Sequence, residues 1–192
     1  MLSQKSKYHQ SEDLLQVENE LVEAAKSDIN AFAPLYEKYY KQVFLYIFQR
    51  LEDKEMAFDI TSQAFLKAMT SLRKFQFKGV PFSSWLYRIA HNEMIQVFRD
   101  KKAQRVVNVK DVQMYELMDE AGGESYEEFL TLILKLIQAM PDEDVLLIEM
   151  RFFEKRSFKE ISEILNITET NAKVKMHRLM ERIKKEVKEK IQ

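Results

Sequence analysis

The sequence predicts an all-helical chain organised as two helical domains. Three observations carry this expectation. Only three Gly and three Pro occur in 192 residues, which leaves little turn chemistry for the many tight connections of a sheet. Apolar residues recur at three- and four-residue spacings through most of the chain, the period of an amphipathic helix. Between about Ala103 and Glu128 that periodicity weakens, in an acidic stretch containing Gly122-Gly123. The expected boundaries are a disordered tail at 1–18, a first domain at 19–102, an acidic linker at 103–125 and a second domain at 126–192. A short buried helix around Met114–Met118 is the alternative to a plain linker.

The elements follow in order. "QVENELVEAAKSDINAFAPLYEKYYKQVFLYIFQRL" is helical throughout, with Ser27 or Asp28 placed to cap the segment after it. In "EMAFDITSQAFLKAMTSLRKF", Ile60, Ala64, Met69 and Leu72 lie on one face, and Phe65 and Ala68 widen that stripe. "QFKGVPF" holds Gly79 and Pro81 and must be a loop. Ser83 or Ser84 is expected to cap "WLYRIAHNEMIQVFRDKK", with Leu86, Ile89, Ala90 and Val97 inward. In the second domain "EEFLTLILKLIQAM" stops at Pro141, and "DEDVLLIEMRFFEK" opens on acids that suit a helix N-terminus.

A hydrophobic fraction of 46% suffices for real cores. The absence of Cys excludes disulfides, thiol nucleophiles and Cys-ligated zinc, and fits a reducing cytoplasm. No apolar run approaches the ~18 residues of a membrane span, so no membrane insertion is expected. There is no Gly-rich phosphate loop, nucleophile motif or ligand cluster, so neither an enzyme nor a cofactor is expected. His91 and His177 lack metal-ligand spacing with any partner. The net charge is -1, yet the charges are segregated. "RDKKAQRVVNVK" is basic, the following 111–150 is strongly acidic, and 151–192 is basic again.

"KEISEILNITETNAKVKMHRL" reads as two helices around a tight corner. Ile161, Ile164 and Leu165 form the apolar side of the first, and Ser162 is small, as a close helix contact requires. Asn166 sits where the chain needs a left-handed residue. Thr168 is a good N-cap and Glu169 suits the first turn. At ~100° per residue, Met176, Leu179 and Ile183 fall within about 40° of Ala172, a buried stripe. Thr170, Val174, His177 and Arg178 point outward, with Lys173 at the flank. Thr170, Asn171, Lys173, Lys175, His177 and Arg178 are therefore the candidates for contacting a major groove. The plainer alternative is a charged helix face turned to water; the small residue, the Asn corner and the cap, all at helix-turn-helix spacing, weigh against it.

"FDITSQAFLKAMTSLRKF" followed by "FSSWLYRIAHNEMIQVFRDKK" strongly resembles region 2 of bacterial sigma factors, nearest the extracytoplasmic-function group. "MPDEDVLLIEMRFFEKRSFKEISEILNITETNAKVKMHRLMERIKK" resembles region 4 of the same group. The resemblance implies a protein that binds core RNA polymerase and directs promoter-specific initiation, with core polymerase and promoter DNA as partners. An anti-sigma factor, common in the family, is a further partner the resemblance allows. It implies that the helix Asp59–Ala68 docks on the clamp coiled coil of the polymerase largest subunit. Asp59, Phe65, Leu66 and Lys67 match that motif, whereas Ser62 and Gln63 stand where the family often has Gln-Glu. The loop Phe75–Ser83 corresponds to the family's specificity loop, which holds a base flipped from the upstream-ten element, and Asn92 matches a residue that touches this element. Arg88, Asn92 and Arg99 share one side of their helix and would line a DNA strand, continued by Lys101 and Lys102. Trp85 is expected in the core, and at least one of Phe75, Phe77 and Phe82 is a candidate for base stacking.

The rivals are an ordinary helix-turn-helix regulator with an effector domain, an enzyme, and an adaptor that mimics this surface. Co-purification with core polymerase separates the first, and promoter-specific transcription excludes the last.

Overall fold

The computed structural model describes residues 12–100, 111–123 and 125–190. Among these, all regular structure is helical. The helices are α1 (Glu12–Ser27), α2 (Ala33–Leu51), α3 (Lys54–Ser71), α4 (Phe82–Arg99), α5 (Asp111–Ala121), α6 (Tyr126–Ala139), α7 (Asp142–Ile148), α8 (Phe158–Leu165) and α9 (Glu169–Lys190). Short 3-10 turns at Ile29–Phe32 and Leu72–Lys74 precede α2 and follow α3, and a π-helical turn at Glu149–Phe153 extends α7. The chain forms two compact units. One comprises α1 to α4; the other comprises α5 to α7, the start of α8, and α9.

In the first unit, Asp28 accepts a hydrogen bond from Asn30 N at 3.0 Å and so starts the 3-10 turn as its sequence predicts. Pro34 occupies the first turn of α2, where its missing N–H costs nothing. Glu52 takes a left-handed conformation (φ 53°) to end α2. Asp53 then caps α3 by accepting from Met56 N at 2.9 Å. The core is aromatic. Phe32 meets Phe65 and Phe82 edge-on, at 6.4 and 6.2 Å between ring centroids. Trp85, expected inside, is buried against Phe75 and Phe82.

Four expectations need correction. The tail expected at 1–18 is helical from Glu12 onward, because Val22, Ala25 and the carboxylate of Glu18 are drawn into the core. Residues 1–11 lie outside the described ones. Neither Ser83 nor Ser84 caps α4: the helix begins at Phe82 after Pro81, and both serines are buried in its first turn. The inward side of α4 holds Leu86, Ala90, His91 and Met94, whereas Ile89 and Val97 are only half-buried.

The fourth falls in the second unit. The linker expected at 103–125 contains α5. Met114, Leu117 and Ala121, at spacings of three and four, are buried against α9 and the π-helical turn. Glu116 on its outer side pairs with Lys155. Gly122, with φ 76°, ends the helix, and a Cβ at Gly123 would meet Met118 Cγ at 2.9 Å. The glycine pair is thus a helix stop closed by a tight approach rather than free chain. Residues 103–110 and 124 of the expected linker lie outside the described ones.

Candidate functional site

The corner between α8 and α9 is built from local contacts. Asn166 has φ 54°, the left-handed value its position predicts. Ile167 N donates to Ser162 O at 3.0 Å and closes the end of α8. Thr168 Oγ1 accepts from Asn171 N at 3.2 Å, so the capping threonine is as expected. Ala172, Met176, Leu179 and Ile183 are buried, joined by Met180 and Val187. Opposite them Thr170, Val174 and His177 are exposed, with Asn171 and Arg178 on one flank and Lys173 on the other. Lys173 pairs with Glu169 at 2.7 Å along its own helix, an exposed pair that a phosphate can displace. Lys175 departs from the candidate set. It stands beside the buried stripe, 3.2 Å from Glu143 of α7, and with Arg182–Asp144 at 2.9 Å it helps seat α9 on α7.

In the first unit, α3 presents Asp59, Ser62, Gln63 and Leu66 on one exposed face. Leu66 is 56% exposed, a large apolar side chain left in water. Lys67 is exposed at the edge of this face and is held by Glu93 of α4 at 2.7 Å. Phe65 was expected in the docking set and does not belong to it. It lies about 100° round the helix from Leu66, is buried, and packs on Phe32, Tyr36 and Tyr40. Burial, and then the neighbouring Tyr36, push the Tyr40 hydroxyl above the usual tyrosine range, so it stays neutral near pH 7. Phe58, unnamed by the sequence motif, is 41% exposed beside Phe44, with ring centroids 4.6 Å apart, and extends the apolar surface.

The loop 75–81 leaves α3's closing turn with Phe75 N donating to Leu72 O and enters α4 through Pro81. Gly79, at φ 67°, makes the bend that a side chain would strain. Phe75 and Phe82 are buried and meet edge-on at 5.3 Å, which pinches the base of the loop. Gln76 and Lys78 are exposed and Phe77 is half-buried, so Phe77 is the aromatic available near the tip. Along α4, Asn92 and Arg99 are exposed and Arg88 half-buried on the side the spacing predicts. Lys101 and Lys102 lie outside the described residues.

The sequence matches the Sigma-70 region 2 family over residues 35–104 and the Sigma-70, region 4 family over residues 130–183. The chain belongs to the extracytoplasmic-function sigma factors. SigW, an ECF RNA polymerase sigma factor of Bacillus subtilis, is 27% identical over 91% of this chain and 98% of its own length. BldN of Streptomyces coelicolor is 26% identical over 83% of this chain and 61% of its own. The solved structure of CnrH, in complex with the cytosolic domain of CnrY, shares the fold. Its TM-score is 0.52 at 15% identity, covering 86% of this chain and 94% of that one. A sigma factor directs promoter-specific initiation by RNA polymerase, and its family is not a catalytic one. No group of three or more His, Cys, Asp or Glu able to hold a metal occurs among the described residues of this sigma factor. Nor is any of their helices long and apolar enough to cross a membrane.

Glu18 and Lys26 of α1 are functional candidates that sequence reasoning missed. Both touch the ends of the loop 75–81, and both lie too far along the chain for a local signal to reveal it.

Proposed function

We propose that this sigma factor divides its work among four surfaces. The α3 face of Asp59, Ser62, Gln63 and Leu66, edged by Lys67 and Phe58, docks on the clamp coiled coil of the polymerase largest subunit. The tip of the loop 75–81 takes a base flipped from the upstream-ten element, and the side of α4 bearing Arg88, Asn92 and Arg99 guides the opened strand. Lys101 and Lys102, which follow in the sequence, are further DNA contacts in this proposal. The outer face of α9, with Thr170, Asn171, Lys173, His177 and Arg178, enters the major groove of the upstream element. The protein works in the cytoplasm without a cofactor and does no chemistry of its own. An anti-sigma factor, as a further partner, would compete for the docking face.

The observation that carries this reading is the division of α3. One side builds the aromatic core through Ile60, Ala64 and Phe65, and the other leaves Leu66 in water between polar neighbours. An apolar side chain ringed by polar ones suits the buried centre of a protein interface. The test is Leu66→Asp, assayed for core polymerase binding and for folding by circular dichroism. The expected result is a folded protein with polymerase affinity reduced by about 2 kcal/mol or more. Full-affinity binding by the folded variant would remove the surface from α3.

A further inference from the structure

Two side chains of α1 take hold of the loop 75–81 at its two ends. At the entry, Lys26 Nζ donates to the carbonyl oxygen of Phe75 at 2.9 Å and lies 5.7 Å from the centroid of the Phe75 ring. Glu23, one turn back, holds the same ammonium at 2.7 Å. At the exit, Glu18 Oε2 accepts from the backbone N–H of Phe82 at 2.6 Å. Its other oxygen accepts from Lys38 Nζ at 2.6 Å and from the Tyr39 hydroxyl. Glu18 is 3% exposed.

The chemistry of each end is specific. A carboxylate leaves water only where donors replace its hydration, and Glu18 is surrounded by an ammonium, a phenol and a peptide N–H. The N–H it takes is the one that opens α4, which the helix itself cannot satisfy. No side chain near it in sequence does so. At the other end a lysine ammonium engages the first carbonyl of the loop. The ring contact between Phe75 and Phe82 closes the base of the loop without fixing its direction, whereas the two hydrogen bonds to α1 are directional.

We infer that Glu18 and Lys26 are positioning residues for promoter reading: α1 fixes both ends of the loop so that Gln76, Phe77 and Lys78 meet DNA in one arrangement. The inference rests on the reading of the loop given under Proposed function. A loop with a left-handed glycine at its bend samples several arrangements when its ends are loose. Ordering it in advance removes that entropy cost from the binding step. Neither residue contacts DNA in this account. Both precede the stretch that matches Sigma-70 region 2, which begins at residue 35.

The test uses the full chain with core polymerase on its own promoter, taken from mapped start sites, and on the same promoter with one base changed in the upstream-ten element. The readout is the ratio of transcripts from the two templates. Lys26→Met removes the donor to the Phe75 carbonyl, and Glu18→Gln removes the carboxylate charge and one of its accepting oxygens; each should lower the ratio about three- to tenfold, with polymerase binding retained. Lys26→Arg still donates and should keep the ratio near that of the unmodified protein. A role confined to folding would lower transcription from both templates together and leave the ratio unchanged, which would overturn the inference. The double variant Gln76→Ala/Phe77→Ala separates the two layers. If it lowers the ratio while Lys26→Met and Glu18→Gln do not, the clamp is wrong and the loop reading stands. If it leaves the ratio intact, the loop reading falls and the clamp falls with it. Should Glu18→Gln fail to fold, the Lys26 pair, at the half-buried end, decides alone.

Discussion

The corner before α9 is shaped by residues within a few positions of one another, and the loop before α4 by residues up to 64 positions away. In the corner, Asn166 supplies its own left-handed bend and Thr168 caps the helix three residues from the amide it satisfies. In the loop, Gly79 allows the bend, but Glu18 and Lys26 hold the ends from another helix. A helix that enters a preformed duplex groove needs only a rigid approach angle, which local capping supplies. A loop that receives a single flipped base needs its tip placed against a surface, and that requires tethers at both ends. The two elements proposed to face DNA therefore differ in how they break: the corner by losing a cap, the loop by losing a distant partner.

The largest expected effect tests the side of this comparison that depends on distant contacts. Phe65→Ala should destabilise the first unit by about 3–5 kcal/mol, because it empties the aromatic core shared with Phe32 and Tyr36. Denaturant unfolding measures it. A loss below about 1 kcal/mol would return Phe65 to the surface set. Next is the reading helix. Lys173→Ala and Arg178→Ala should each weaken binding of the polymerase-bound protein to its promoter by about 1–3 kcal/mol if they reach base edges, with folding unchanged. Promoter binding by the double variant equal to that of the unmodified protein would take α9 out of the groove.

Smaller effects sharpen the local side. Thr168→Ala should cost about 1 kcal/mol through the lost cap to Asn171, seen as a lower thermal midpoint. No change there would mean that the corner is also held from elsewhere. Least of all, Leu66→Ala should change stability by no more than about 0.5 kcal/mol, since the side chain packs on little within this chain. A larger loss would show that Leu66 is core rather than interface.

The pattern of these effects explains what could be read in advance. Helical class, the two-domain order, the corner at Asn166 and the buried stripe of α9 all follow from spacing and capping, which are local. A linear motif sets Phe65 beside Leu66 and does not show its helical angle. Leu66 lies about 100° from Phe65 on α3, so adjacent motif residues face opposite environments. The short helix α5, the alternative around Met114–Met118, is hard to see because acids dominate its composition, whereas Met114, Leu117 and Ala121 carry its burial. Lys175 was counted among the readers because a cation on a basic helix gives no sign that Glu143 waits on another helix. Glu18 and Lys26 were invisible for the same reason at greater range. No sequence pattern announces that a carboxylate in α1 will satisfy the first amide of α4.

We propose that this sigma factor reads DNA as a part of the polymerase and poorly by itself. A net charge of -1 gives little long-range attraction to phosphates. A single reading helix displaces only a few counterions, so its affinity falls steeply with salt. Docking on polymerase would place both proposed DNA-facing elements on one promoter and raise the effective concentration of the second contact. The direct measurement is a titration of fluorescent promoter duplex with the protein alone and with core enzyme added, across a salt series. The account predicts weak, salt-sensitive binding alone, and tight, sequence-specific binding with strand opening once core enzyme is present. Tight, sequence-specific binding by the protein alone, unchanged by core enzyme, would contradict it.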